Sequence, residues 1–147
     1  MNDLKNKDCS AVQAHIAMLQ GIISRMANNS ANCKTWAVTI IAAMLVLIAD
    51  KNMGFTDIWI CYIPVALFFL LDCYYLGLER VFIKDQENFL QKVPSGNYAD
   101  DLYVIKGLPK FGGQLRSTIN AMKSFSTTPF YGFIALFIFI LGRCLNG

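Results

Sequence analysis

Apolar residues along this chain gather into three uncharged blocks, residues 36–49, 58–71 and 130–141, separated by polar or amphipathic stretches. A soluble domain spreads its apolar positions through short periodic runs that share one core. Long uncharged blocks suit a hydrocarbon solvent instead. Three of them in so small a chain leave too little polar surface to cover them, so each block predicts a membrane-spanning helix.

The first block is bracketed by Lys34 and Asp50-Lys51. Its fourteen residues rise only about 21 Å as a helix, short of a hydrocarbon core of roughly 30 Å. A snorkelling Lys34 and an interfacial Trp36 extend the span. The segment DKNMGFTD at 50–57 is short, so the next span returns antiparallel. Residues 58–78 supply 21 positions for that return, interrupted only by Asp72 and ended by Glu79-Arg80; Pro64 inside it predicts a kink. The third span, FYGFIALFIFILG, follows Thr127-Thr128-Pro129, which offers hydroxyl caps and a proline for the first turn. Arg143 closes it.

The stretches between the blocks read as helices of a different kind. In SAVQAHIAMLQGIISRMANNSA, residues 10–31, a capping-box pattern at Ser10 and Gln13 starts a helix. Val12, Ile16, Leu19, Ile23 and Met26 then make one apolar stripe at helical spacing. ERVFIKDQENFLQKV is amphipathic and stops at Pro94-Ser95-Gly96. LYVI at 102–105 predicts a short strand, GLPKFGG breaks the chain, and QLRSTINAMKSF puts Leu115, Ile119, Met122 and Phe125 on one face, as an interfacial helix does. The expected fold is an all-α membrane protein: an N-terminal amphipathic helix (1–33) running into a two-span transmembrane hairpin (34–78), a cytoplasmic helical segment (79–128), and a third transmembrane helix with a short tail (129–147).

Composition agrees with that pattern, since 55% of residues are hydrophobic and 16% charged at a mean hydropathy of +0.42, against about a quarter charged in soluble domains. The net charge of +3 matters less than where the basic residues fall: four before the first span, one in 50–57, seven in 79–128 and one after the third span. Basic residues are retained on the cytoplasmic side. The alternation therefore predicts an inner-membrane-type protein with its N-terminus cytoplasmic and its C-terminus external. Cys9, Cys33, Cys61, Cys73 and Cys144 form no paired-cysteine motif, which fits a reducing compartment. The polar opening MNDLKNKDCS does not read as a signal peptide.

No phosphate-binding, dinucleotide, zincin or nucleophile-elbow pattern occurs, and with a single histidine, His15, triads and metal clusters are hard to build. The chain reads as a non-enzyme without a cofactor, and His15, set between apolar positions, as a satisfied structural residue. Asp72 is the sharpest position, because an acid inside a span is costly and marks either a partner or a function. A hairpin centred near residues 53–54 sets Lys34 level with Asp72 and Cys73. That favours an ion pair pinning two helices; the rival reading is an acidic ring that selects cations at a pore mouth. If the first helix runs unbroken into the first span, Gln13, Ala17, Gln20, Ser24, Asn28, Thr35, Thr39 and Ala42 fall near one line. Small uncharged polar residues on one helix side permit close packing, or line a wet path when copies surround an axis. Either way the helix meets protein, most simply another copy of the chain. Lys106, Lys110, Arg116 and Lys123 read as a solvated or lipid-facing basic edge rather than a nucleic-acid site.

SAVQAHIAMLQGIISRMANNSANCKTWAVTIIAAMLVLIADK leading into a span, LDCYYLGLERVF after the second and STTPFYGF opening the third carry a resemblance to small membrane proteins of bacterial anti-phage defence loci. The architecture is similar to the SLATT class of effectors, with a third span added. That resemblance implies a homo-oligomer that is triggered by a cytosolic sensor or defence partner protein and breaches the inner membrane as a pore or ion channel. A non-conducting anchor or scaffold for a cytosolic defence enzyme is the alternative.

Overall fold

A computed structural model describes residues 9–50, 58–105, 111–122, 124 and 126–145. Among them the fold is helical with no strand. Four helices form it: α1 (Ser10–Asp50), α2 (Tyr62–Lys92), α3 (Phe111–Met122) and α4 (Thr128–Leu145). Residues 51–57, Lys106, Lys110, Lys123, Phe125 and the side chain of Leu115 lie outside the described residues.

α1 is a single helix of 41 residues, about 60 Å long. Asn28-Asn29-Ser30 does not interrupt it, because Ser30 and its neighbours are held against α2 and tertiary packing outweighs weak propensity. Its buried positions, Val12, His15, Leu19, Ser30, Cys33, Ala37, Ile41 and Ile48, recur at helical intervals along one side. That stripe packs on an antiparallel α2, so His15 meets Phe89, Lys34 meets Asp72, and Ile48 lies in the cluster holding Ile58. Two of the helical stretches, Ser10–Asp50 and Trp59–Ser95, are long and apolar enough to cross a membrane; α4 is apolar but shorter.

Several local expectations are corrected. The first bond of α1 runs from Gln13 N–H to Cys9 O at 3.0 Å. This makes Cys9 the cap residue and puts Ser10 inside the helix. Pro64 does not kink a span: a 3₁₀ turn, Trp59–Cys61, precedes α2, leaving Pro64 in the first turn, where its missing N–H costs no hydrogen bond. Nor do hydroxyls cap α4. Thr128 Oγ1 donates backwards to Met122 O, while Thr127 Oγ1 is buried without a partner.

The segment after Pro94 forms no strand either. α2 ends in a 3₁₀ turn, Val93–Ser95, with Gly96 in the left-handed conformation at φ 77°, which glycine adopts without penalty. Residues 96–105 then cross the open end of the hairpin as a strap. Tyr98 drops into a small core with Val12, Phe89 and Val93, and Lys92 Nζ lies 2.6 Å from Asp101 Oδ2. Tyr103 has φ 59°, incompatible with a strand, and no neighbouring strand is present among the described residues to pair with it.

α3 lies against α2. Ser117 Oγ donates to Gly77 O at 2.8 Å and Arg80 reaches Asn120 O at 3.4 Å and Ser124 Oγ at 3.2 Å. Ala121 is fully buried while Ile119 stays exposed. α4 rests on the apolar half of the hairpin through Tyr131 and Ile138. Two phenols tie it there: Tyr62 Oη donates to Ala135 O at 3.0 Å, and Tyr131 Oη to Phe68 O at 3.2 Å. Removing both hydroxyls, as Tyr62→Phe with Tyr131→Phe, is expected to cost about 1 kcal/mol, read as a lower unfolding midpoint in detergent.

Candidate functional site

Two features stand out along α1, one turned inward and one outward. Inward, Ser30, Lys34 and Cys33 of α1 face Asp72 and Cys73 of α2. Asp72 is fully buried and Lys34 is 22% exposed at its side chain, with Nζ 2.6 Å from Asp72 Oδ2. That contact is electrostatic, since Oδ2 has no well-directed hydrogen bond. The other oxygen, Oδ1, accepts the hydroxyl of Ser30, and Lys34 Nζ also reaches Ser30 Oγ at 3.3 Å. Ser30 and Lys34 share a face because they are one helical turn apart. The structure thus brings together Lys34 and Asp72 as a closed internal triad with Ser30.

Ser30 was not anticipated in the sequence. The same register that levels Lys34 with Asp72 puts Ser30 one turn away, so its hydroxyl was reachable by the same argument. The contacts of His15 had no such signal. Its Nδ1 accepts the backbone N–H of Tyr103 at 3.0 Å, across 88 residues of sequence, and its ring lies 4.2 Å from that of Phe89.

Outward, Gln13, Gln20, Ser24, Asn28, Thr35 and Thr39 are all exposed, as are Ala17 and Ala42. None of them is used to pack α1 on α2. The lane begins in the polar half of the hairpin and continues beside exposed Trp36, Val38 and Ile40. Within it, Thr39 Oγ1 donates to Thr35 O at 2.9 Å and Thr35 Oγ1 to Ala31 O at 3.3 Å. Those two hydroxyls are satisfied by their own helix.

Among the described residues no group of His, Cys, Asp and Glu is arranged to hold a metal ion, and all five cysteines are free thiols. Arg116, of the basic set, is exposed. Compared with known proteins, the chain matches no family model, no curated protein and no solved structure.

Proposed function

We propose that this chain is an inner-membrane protein that self-associates through the polar lane of α1 and acts as a triggered pore- or channel-forming effector of anti-phage defence. The membrane part of this reading rests on where the apolar surface lies. In the most apolar 18-residue stretch of each long helix only 22% and 33% of residues are buried, whereas a soluble core helix would be mostly covered. Val46, Ile63 and Phe133, one from each apolar helix, are 68%, 66% and 73% exposed. A belt of that kind far exceeds the few hundred Å² of apolar patch that a soluble monomer tolerates. The basic-residue alternation then orients the chain with its N-terminus and the 79–128 segment inside and its C-terminus outside, and α4 becomes the third span.

The observation that carries self-association is the exposed, uncharged, small-and-polar lane that runs from Gln13 into the belt at Thr39. A second α1 laid along the lane would pack closely against its small residues and exchange hydrogen bonds with its glutamine, serine and asparagine side chains. Long extensions of α1 and α2 beyond the belt offer the cytosolic surface on which a sensor or defence partner would act. The non-conducting alternative, an oligomeric scaffold, draws on the back-bonded hydroxyls of Thr35 and Thr39, which suit a dry helix contact better than a wet wall.

Triggered or overproduced in cells, the protein is expected to depolarise the membrane and admit dye. Gln20→Leu with Ser24→Leu is expected to abolish that effect and to lower the detergent-solubilised mass toward one chain. Normal membrane potential with the wild type inserted would overturn conduction, and planar-bilayer current decides between channel and scaffold.

A further inference from the structure

The end of the hairpin away from the apolar belt holds a buried histidine with two competing sets of partners. His15 is 2% exposed and lies in a shallow cleft with Leu19, Asp85, Phe89, Asp101 and Val104. Its Nδ1 accepts from Tyr103 N–H, so the neutral ring must carry its proton on Nε2. This bond holds a residue that would otherwise resist its conformation, for Tyr103 sits at φ 59°, a left-handed position unfavourable for a bulky side chain. Beside it, Tyr103, Val104 and Ile105 are 60%, 50% and 42% exposed. Upstream, Tyr98 and Leu102 pack on the small core and Lys92 pairs with Asp101; from Tyr103 onward the side chains are largely exposed and the His15 bond is the hydrogen bond that ties the strap to α1.

The charged neighbours of the ring are Asp85 from α2 and Asp101 from the strap. Asp101 is already engaged by Lys92. An imidazolium has no lone pair on Nδ1 and cannot accept from Tyr103; it would present two donors, for which the two carboxylates are the acceptors at hand. We propose that His15 is a pH-operated latch: neutral, it clasps the 96–105 strap across the hairpin end, and protonated, it loses the Tyr103 N–H and turns to Asp85 on α2, loosening the strap from residue 103 onward.

The sign of the pH dependence follows from burial. Desolvation lowers the imidazole below its ordinary 6.5, and the opposing attraction of Asp101 and Asp85 only partly offsets it. The released chain takes up protons more readily than the clasped one, so the clasp is complete above the ordinary value and weakens as the pH falls below it. Acidification of the compartment that holds this end thus loosens this part of the strap, giving a membrane effector a cue tied to proton influx. That use rests on the proposed function; the latch itself does not.

Amide exchange of Tyr103 in the detergent-solubilised full chain, corrected for the pH dependence of the chemical step, tests it without any conduction assay. Protection in the wild type is expected to fall about tenfold between about pH 7.5 and about pH 5. His15→Gln, whose side-chain carbonyl accepts the same N–H but does not titrate, should hold its protection across that range. His15→Phe keeps the ring on Phe89 without an acceptor and should be poorly protected throughout. Flat protection in the wild type, or a fall in His15→Gln that matches it, would overturn the latch.

Discussion

Replacing Lys34 with alanine is expected to destabilise the hairpin more than replacing its partner Asp72 with asparagine does. The two residues form one pair, but their surroundings are unequal. Asp72 is wholly enclosed, and Lys34 keeps 22% of its side chain exposed. Without Lys34, the carboxylate stays buried with no counter-charge beside it, a loss of about 3–5 kcal/mol. In the other variant the asparagine carbonyl would still accept from Ser30, while the orphaned ammonium extends its stem toward water, so Asp72→Asn is expected to cost about 1–2 kcal/mol. The double variant removes the charge that made each single change costly. Its destabilisation should fall short of the sum of the two by at least about 1 kcal/mol. Unfolding midpoints in mixed micelles read all three, and additive losses would show that the pair does not hold α1 to α2.

A comparable loss is expected at Gly77, for a steric reason. A Cβ placed there meets Thr118 N at 3.1 Å and Ser117 C at 3.2 Å. Both obstacles are backbone atoms of α3, which cannot rotate aside as a side-chain tip does. The close approach is also what lets Ser117 Oγ reach Gly77 O. Gly77→Val should therefore push α3 off α2 at a cost of about 1–3 kcal/mol, with amide protection lost over 111–122. Gly21 is the control: its Cβ would meet nothing within 4 Å, so Gly21→Ala should be neutral or stabilise α1 by up to about 1 kcal/mol. Equal behaviour of the two variants would mean that Gly77 is not a contact point.

Elements fixed by periodicity or breakers were legible in the sequence, and those fixed by a distant partner were not. The apolar stripe from Val12 to Met26 needs only local spacing, as does the stop at Pro94-Gly96. Two antiparallel helices around a short turn also make depth a linear function of residue number, which is why Lys34 and Asp72 were legible as neighbours. The strand expected at LYVI failed because alternation says nothing about whether a second strand exists. Tyr103 instead follows a bond to His15, 88 residues away, and no local pattern encodes that. Pro64 misled in a similar way. Apolar content continued on both sides of it, and only the 3₁₀ turn at Trp59–Cys61 shows that the helix starts just ahead of it. On the outer lane, spacing gave the alignment of Gln13 through Thr39, but what it faces depends on other chains and lies beyond a single sequence.

The central claim is that the apolar belt of α1, α2 and α4 faces lipid and the lane of α1 faces another copy. Purification with and without amphiphile, followed by mass measurement of the particle, tests both parts together. The expected result is extraction only with detergent, as a particle of several chains that Gln20→Leu with Ser24→Leu reduces. A chain that stays dispersed in plain buffer, or that remains single in detergent, would contradict the account.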